Sequence, residues 1–273
     1  MSTFLLEWLT LRQPHDLAAR NRDVEAAFLA ALPTGPVRIL DLGSGAGATL
    51  AALAGILTDA GHDRQQWSLA DHDRGLLRTA ASRFGHAPGV HISAIEVDLA
   101  ADLETLPFGA VDAVTTSAFL DLVDHGFVDR LTTLLRAHRL PFLASLTYDG
   151  RMDCDPPDPT DRAIRQVVNR HQRTDKGFGL ALGPEAADVT QDLLERAGFK
   201  VITGRSDWRL SPQSREIQAE LVRGWAAAAK DIGLSADDVN TWADFRQAAI
   251  ERSASAMTVG HVDLAALPIR SAT

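Results

Sequence analysis

Three glycines at alternate positions mark a part of the sequence where residue types and spacing point to ligand chemistry. Gly43, Gly45 and Gly47 follow the apolar run at 39–42 and precede a second apolar stretch. Such a turn lets the chain reverse sharply, lets a ligand approach the backbone, and points the N-terminus of the next helix at that ligand. With Ala48, these residues also satisfy the dinucleotide fingerprint G-x-G-x-x-G/A. The glycines alone therefore indicate nucleotide binding without choosing a cofactor.

Acidic residues close three successive predicted strands beside this turn. Asp41 lies two residues before Gly43, Asp71 ends the segment Ser-Leu-Ala-Asp, and Asp98 ends Ile-Glu-Val-Asp. The carboxyl ends of parallel strands line the ligand crevice of a doubly wound sheet, so these carboxylates should converge on one site. The dinucleotide fingerprint uses one acid about 20 residues past the glycines and gives no role to a third. An NAD(P)-dependent oxidoreductase is therefore the alternative and not the preferred hypothesis.

With these motifs, residues 37–210 resemble a class I methyltransferase dependent on S-adenosylmethionine (SAM), whose product is S-adenosylhomocysteine (SAH). The resemblance implies that the glycine turn lies along the methionine and ribose, that Asp71 binds the ribose hydroxyls and that Asp98 reaches the adenine amine. The residues predicted to bind the cofactor are Arg20, Asp41, Gly43, Ser44, Gly45, Gly47, Asp71, His72, Asp98, Leu99 and Ser117.

Each acid also has a structural alternative. Asp71 and Asp98 can be turn formers at strand ends. Asp73 is expected to be the N-cap of the following helix. Asp41 can equally well accept hydrogen bonds from backbone amides of its own turn instead of contacting a ligand.

The resemblance places the methyl acceptor at the end of the fourth strand, where Ser117, Phe119 and Asp121 are expected to line its pocket. The Asn/Asp-Pro-Pro-Tyr/Phe signature of enzymes that methylate planar amines is missing, which makes methylation of nucleobase amines less favoured. Methyl transfer requires alignment of donor and acceptor, and a general base only where the nucleophile must lose a proton. The candidate bases are Asp121, Tyr148, Asp149 and His171.

The polar segment 169–179 is the second candidate region for the acceptor. It is rich in hydrogen-bonding groups and ends in a glycine loop, so either solvent exposure or ligand contact would satisfy it. His171 is a candidate base there, and Lys176 a candidate anchor for an acidic substrate group. The predicted catalytic residues are thus Asp121, Tyr148 and His171, and the predicted acceptor-binding residues are Phe119, Asp121, Asn169, His171 and Lys176.

Residues from the two ends of the chain are expected to cover this site. Arg12, Arg20 and Asn21 can close over the cofactor carboxylate, for which an arginine fork is suited, or lie on the surface. Four tryptophans can wall the acceptor site or belong to the core; they are Trp8, Trp208, Trp225 and Trp242.

Short apolar segments alternate with helical patterns from residue 37 onwards, which predicts parallel βαβ units. The predicted strands are 37–42, 66–71, 91–97, 111–117, 140–148, 199–210 and 259–265. The predicted helices cover 3–32 with an interruption at Pro14, then 47–60, 73–83, 124–137, 160–172, 184–197, 213–230 and 235–253. The last strand is expected to be antiparallel beside the sixth, although a hairpin turning at Gly204 also fits the pattern.

These elements predict an α/β fold: a Rossmann-like, doubly wound, seven-stranded mixed sheet with a helical lid. Residues 1–34 are expected to form an N-terminal helical cap. Residues 35–210 are expected to form the SAM-binding core with a lid insert at 149–183, and residues 211–273 a helical lid extension with the final antiparallel strand.

Composition limits the partners. The net charge of −9 argues against nucleic acid and favours a small-molecule substrate. Cys154 is the single cysteine, so an internal disulfide is impossible and zinc-type spacing is missing, which predicts no metal. We expect no signal peptide, no membrane association and a cytoplasmic location. The preferred function is methyl transfer from SAM to an oxygen, nitrogen or carbon atom of a small molecule; a non-catalytic SAM-binding sensor or partner subunit is the other alternative.

Overall fold

The computed structural model describes residues 3–269, and within them a single mixed sheet organises the chain. Its strands are β1 (Val37–Leu42), β2 (Gln65–Asp71), β3 (Val90–Glu96), β4 (Ala113–Ser117), β5 (Phe142–Asp155), β6 (Phe199–Arg205), β7 (Trp208–Leu210) and β8 (Ala256–Pro268). The strand order is β3-β2-β1-β4-β5-β8-β6, and β7 pairs with β8 off this path. The first five strands are parallel to one another, as βαβ units require.

Helices cover both faces of this sheet. They are α1 (Thr3–Ala19), α2 (Arg22–Ala30), α3 (Ala48–Asp59), α4 (Arg74–Phe84), α5 (Leu99–Asp102), α6 (His125–His138), α7 (Asp161–Gln172), α8 (Ala186–Arg196), α9 (Arg215–Asp231) and α10 (Ala236–Glu251). Successive side chains of a strand point to opposite faces. Leu40 and Leu42 of β1 accordingly pack with α6 and α8, whereas Val37 and Ile39 pack with α2, α3 and α4. The predicted Rossmann-like α/β fold is confirmed.

The carboxyl-terminal half of the sheet differs from the prediction in two ways. The predicted sixth strand, 199–210, is divided into β6 and β7 by Ser206 and Asp207, so the sheet has eight strands. Both segments pair antiparallel with β8, and the hairpin at Gly204 does not form. The predicted antiparallel last strand is confirmed, and it also pairs with β5.

Strand β5 runs seven residues past its predicted end at residue 148, because the first half of β8 provides a partner for it. This extension, β7 and the start of β8 form a second apolar cluster with α7, α9 and α10. The cluster includes Ile164, Trp208, Trp225, Trp242 and Val259. Trp225 and Trp242 thus lie in the interior of this C-terminal lobe, distant in sequence from the glycine turn.

The predicted interruption at Pro14 is wrong, since α1 continues through Pro14 to Ala19. Proline costs a helix one backbone hydrogen bond, and here tertiary packing holds the helix: Trp8 packs edge-on against Trp208 with ring centroids 6.2 Å apart. The chain instead breaks at Arg20 and Asn21. Asn21 ends the break by accepting hydrogen bonds from the backbone amides of Asp23 and Val24, so it is the N-cap of α2.

Within the described part of the chain, none of the helices combines the length and apolar character needed to cross a bilayer.

Candidate functional site

The glycine turn joins β1 to α3 at the carboxyl edge of the sheet. Gly43, Gly45 and Gly47 have φ angles of +60°, +52° and +82°, a region that residues with a Cβ rarely adopt. A Cβ at Gly43 would lie 2.6 Å from Cδ2 of Phe119, and one at Gly47 would lie 3.0 Å from Cε2 of Phe84. Gly43 and Gly47 are therefore favoured both by their positive φ angles and by the close approach of a phenylalanine ring.

A cleft opens on both sides of this turn, and its larger compartment has a volume of about 440 Å³. It lies between the ends of β1, β2 and β3 and is covered by the loop that follows α7. Its lining residues are Gly43, Asp71, His72, Leu76, Val97, Asp98, Leu99, Ala118, Phe119, Leu122, Lys176, Gly177 and Phe178. One side is apolar and the other carries two carboxylates.

The smaller compartment, about 150 Å³, lies under α1. Leu9, Arg12, Gln13 and Asp16 form its roof, and the glycine turn forms its floor with Ser44, Ala46, Ala48, Thr49 and Ser117. Arg83 closes one end, where its guanidinium donates to the backbone carbonyl of Ala46 (3.3 Å) and to Oε1 of Gln13 (2.8 Å).

Gly43, Leu76 and Ala118 line both compartments, so the two form one continuous cleft. Ala118 has a φ of +50°, an unfavourable angle for a residue with a side chain. Its amide donates to the carbonyl of Ser145 on β5 (2.8 Å), which holds the strained turn at the end of β4. Strain at the junction of a cleft is typical of a functional site.

Asp71 is buried and connects β2 to the glycine turn. Its Oδ2 accepts a hydrogen bond from the amide of Gly45 (2.8 Å), and its Oδ1 accepts one from the amide of Asp73 (2.8 Å). The structural alternative for Asp71 is thus confirmed, and its ligand contact stays a prediction. Its carboxylate organises the turn and also faces the larger compartment.

Asp98 is exposed and also lines the larger compartment. One of its oxygens, Oδ1, accepts from the amide of Ala100 (2.9 Å) and so caps the short helix α5. Asp73 is the N-cap of α4, as predicted, and accepts from the amides of Gly75 and Leu76. Of these two caps, Asp98 alone is among the residues that line the cleft.

Asp41 and Arg20 form a buried polar layer beneath the turn and do not line the cleft. Oδ1 of Asp41 accepts from the Thr115 hydroxyl (2.7 Å), and its Oδ2 has no partner among the described residues. Burial raises the pKa of the Asp41 carboxyl to about 7, against the opposing effect of its hydrogen bonds and of Arg20. Arg20 donates to the hydroxyls of Ser145 (3.0 Å) and Ser117 (3.2 Å). This layer ties β1, β4 and β5 together directly behind the ligand cleft.

Asp121 follows the end of β4 in a 3-10 turn, Leu120–Leu122, and is 7% exposed. Its Oδ1 has no hydrogen-bond partner in the described chain. Burial raises the pKa of its carboxyl to about 6, although Arg12 and nearby backbone amides oppose the shift. A carboxyl that titrates near neutral pH is suited to accept a proton.

Tyr148 and Asn169, both predicted site residues, bond to each other. The Tyr148 hydroxyl donates to Oδ1 of Asn169 (2.7 Å), and Nδ2 of Asn169 donates to the carbonyl of Gly150 (3.0 Å). Burial raises the pKa of the Tyr148 phenol above its usual value, so the phenol is neutral near pH 7. Asp149 is likewise engaged, in a salt bridge with Arg151.

The remaining acceptor candidates lie in two separate places. His171 lies on α7, with Nε2 3.9 Å from the carboxylate of Asp231 on α9. Lys176 and Phe119 line the larger compartment, and the Lys176 ammonium donates to the Thr174 hydroxyl (3.0 Å). Phe119 lies below Gly43 and packs edge-on against Phe178.

The sequence does not predict several of the residues that line the cleft. No local pattern marks Ala118, Arg83 or Gln13, because they reach the cleft only through the fold. Phe178 was not predicted individually, although it belongs to the candidate segment 169–179. Of the residues predicted to close over the cleft, Arg12 does so, while Asn21 caps α2 and Arg20 lies behind the turn.

Chemically, the cleft offers apolar side chains and the carboxylates of Asp71 and Asp98, which can accept hydrogen bonds from hydroxyl or amine donors. Across residues 3–269, no group of three or more His, Cys, Asp or Glu side chains is arranged to hold a metal ion.

No family model and no curated protein sequence matches the chain. Solved structures do match its fold over nearly its full length. A cyclopropane-fatty-acyl-phospholipid synthase-like protein from Lactobacillus casei ATCC 334 has a TM-score of 0.55 at 12% identity, with 98% of this chain and 94% of that chain covered. Loganic acid methyltransferase with SAH has a TM-score of 0.53 at 8% identity, with 96% and 95% covered. The chain has the fold of class I SAM-dependent methyltransferases.

Proposed function

We propose that this chain is a methyltransferase that binds SAM in the cleft beside the glycine turn and moves its methyl group to a small molecule. The observation that carries the proposal is the continuity of the two compartments around Gly43, with Asp71 and Asp98 in the larger one. The similarity of the fold to solved methyltransferases supports it.

The residues present fit this ligand. Gly45 leaves room along the turn, since a Cβ there would meet only Cδ1 of Leu9 at 3.9 Å, and the buried Ser44 hydroxyl has no partner among the described residues. In the proposal, Asp71 and Asp98 bind the ribose and adenine in the larger compartment, with Leu99 and Phe119 against the base. The amino-acid end lies in the smaller compartment near Arg12 and Arg83.

When bound, SAM supplies an electrophilic methyl group on a positively charged sulfur. The chain contributes alignment and exclusion of water, which are the main requirements of an in-line displacement. Helix α1 covers the smaller compartment. Asp121 follows Ser117 by four residues, and its carboxyl is close enough to be influenced by the charge of Arg12, which lines that compartment. With a pKa raised to about 6, its carboxylate can accept a proton from an acceptor near neutral pH.

Ligand-dependent thermal stability tests the cofactor. SAH at about 100 times its Kd should add about 2.7 kcal/mol to the free energy of unfolding, which corresponds to a shift of several degrees in Tm. NADH and NADPH at the same concentrations should leave Tm unchanged. A shift with the nicotinamide cofactors alone would make the chain an oxidoreductase and overturn the proposal.

A matched pair of variants tests the site. In Asp98→Asn, the amide oxygen keeps the cap on Ala100, and the amide nitrogen replaces the oxygen available to an amine donor. SAH affinity should fall about tenfold or more, the size of a lost hydrogen bond to a charged group. Asp73→Asn makes the same change at an N-cap outside the cleft and should leave affinity unchanged. Equal affinities for both variants by calorimetry would remove Asp98 from the site.

Turnover distinguishes an enzyme from a binding module. Incubation with methyl-labelled SAM and a small-molecule extract should yield a labelled low-molecular-weight product. SAH binding without any labelled product would instead support a sensor or partner subunit.

A further inference from the structure

Residues 173–182, here called the covering loop, connect α7 to the turn before α8, and local hydrogen bonds fix their shape. Oδ1 of Asp175 accepts from the amides of Gly177 (2.7 Å) and Gly179 (3.1 Å). The two glycines have φ angles of +99° and +87°, a region that residues with a Cβ rarely adopt. The loop therefore contains a compact turn organised by Asp175, and Lys176 lies inside this turn.

Contacts of its second half attach the covering loop to the rest of the site. The Phe178 ring packs edge-on against Phe119 and Phe127, with ring centroids 5.5 Å and 5.3 Å apart. The amide of Leu182 donates to the carbonyl of Val123 (2.8 Å), in the segment that follows β4. Apolar packing and a backbone hydrogen bond thus hold the loop over the larger compartment.

Lys176 lines the larger compartment together with Asp71 and Asp98. Its side chain is half-buried. Among residues 3–269 the ammonium makes one hydrogen bond, to the Thr174 hydroxyl (3.0 Å), and no salt bridge. An ammonium carries three N–H donors and no acceptor. Two of the three donors of Lys176 are therefore available to a ligand in this compartment.

The charged groups of the larger compartment define which ligand groups match it. Asp71 and Asp98 supply hydrogen-bond acceptors, and Lys176 supplies donors. A matching ligand therefore presents donors and acceptors together. Adenosine does so, because its ribose hydroxyls and its exocyclic amine donate, whereas its ring nitrogens and ribose oxygens accept. The aromatic and aliphatic side chains of the compartment suit the flat purine ring.

We propose that Lys176 binds the adenosine part of the cofactor, and that the covering loop is a cover for the cofactor and not a part of the acceptor site. This inference rests on the proposed methyltransferase function. It replaces the expectation from the sequence that Lys176 anchors an acidic group of the acceptor. An acidic group in this compartment would meet the carboxylates of Asp71 and Asp98, and like charges so placed disfavour each other.

The chemistry of a lysine suits this role. Its ammonium is a compact charge on a flexible four-carbon stem with rotatable donors. The bond from Lys176 to Thr174 can therefore be kept while another N–H of the ammonium donates to a ring nitrogen or a ribose oxygen. Lys176 then contributes to cofactor affinity and takes no part in the displacement at sulfur.

Lysine acetylation tests the contact on wild-type protein. Lys176, Lys200 and Lys230 are the three lysines of the chain, and the last two are exposed, so they are internal controls. With SAH at about 100 times its Kd, about 1% of the protein is free, and acetylation of Lys176 by N-hydroxysuccinimidyl acetate should slow at least about tenfold. The rates at Lys200 and Lys230, followed by mass spectrometry, should not change. An unchanged rate at Lys176 would overturn the inference.

Matched variants test whether the ammonium contributes to affinity. Lys176→Met keeps an unbranched stem and removes the charge, and SAH affinity by calorimetry should fall about tenfold, the size of a lost hydrogen bond to a charged group. Lys200→Met makes the same change at an exposed position of β6 and should have no effect. Thr174→Val removes the partner of Lys176 within the loop and should affect SAH affinity far less than Lys176→Met. Equal losses in these two variants would show that Lys176 only holds the loop, which contradicts the proposal.

The two measurements keep the outcomes distinguishable. If wild-type protein does not bind SAH, the proposed function fails; if SAH binds and Lys176→Met has wild-type affinity, only the present inference fails. Slower acetylation of Lys176 together with wild-type affinity of the variant would mean shielding without a contact, which also counts against the inference. 5′-Methylthioadenosine lacks the amino-acid end and should still slow acetylation of Lys176 when it saturates the protein. No slowing at saturation would exclude a contact with the adenosine part.

Discussion

Replacing Gly43 with alanine tests the glycine turn most directly, because the structure defines two separate costs. The first is conformational: φ is +60°, and an L-residue in the left-handed region loses about 1–2 kcal/mol. The second is steric: the new Cβ would lie 2.6 Å from Cδ2 of Phe119, far inside the optimal carbon–carbon distance of about 3.5–4.0 Å. Phe119 is packed against Phe127 and Phe178, so it cannot move freely. Overpacking of this kind costs about 1–3 kcal/mol, which brings the total to about 2–5 kcal/mol.

Urea denaturation of Gly43→Ala measures the total, and Gly35→Ala provides the matched control. Gly35 has a φ of +84°, and a Cβ placed there meets no atom within 4 Å, so its substitution carries the conformational cost alone. The difference between the two variants, about 1–3 kcal/mol, isolates the contact with Phe119. Adding Phe119→Leu to Gly43→Ala should recover part of that difference. Equal destabilisation by the two alanine substitutions would refute the steric account of the turn.

Two further predictions concern buried charges. Asp161→Ala should lower the free energy of unfolding by about 3–5 kcal/mol in urea denaturation, because it leaves the guanidinium of Arg246, whose side chain is 0% exposed, without its carboxylate. The control Asp192→Ala breaks the exposed pair with Arg196 and should cost less than about 1 kcal/mol in the same assay. Similar losses in both variants would contradict the reasoning. Asp41→Asn should gain stability relative to wild type by about 2–3 kcal/mol between pH 5 and pH 8. Burial raises the pKa of Asp41 to about 7, so the stabilising contribution of its carboxyl is complete at low pH and is lost as pH rises through 7. Asparagine does not titrate, so the variant lacks this loss. A difference in urea midpoint that does not change with pH would show that the carboxyl is ionised throughout.

Local signals were sufficient for the parallel half of the fold. Apolar runs bounded by turn residues place β1 correctly and β2 and β3 within one residue. This is possible because the apolar residues of each strand and the helices that connect the strands are close in sequence. The end of β5 was not predictable in this way. Asp149 and Gly150 are typical of a turn, and the strand continues through them because β8, more than 100 residues later, supplies its hydrogen bonds.

The candidate site likewise contains residues that local signals predict and residues that they do not. Gly43, Asp71 and Asp98 are adjacent to strand ends, and the structure places all three in one cleft. Ala118 and Arg83 belong to the same cleft, but no local pattern marks them, because they reach it only through the fold.

The contact between Phe119 and Phe178 has a consequence for how this protein can change over evolutionary time. Phe119 lies under the glycine turn, and Phe178 belongs to the loop that covers the larger compartment; their ring centroids are 5.5 Å apart. Residues in contact show non-additive mutational effects of about 0.5–3 kcal/mol. Variation in the covering loop is therefore epistatic with the turn, and changes in this loop would have to be selected together with compensating changes around Gly43.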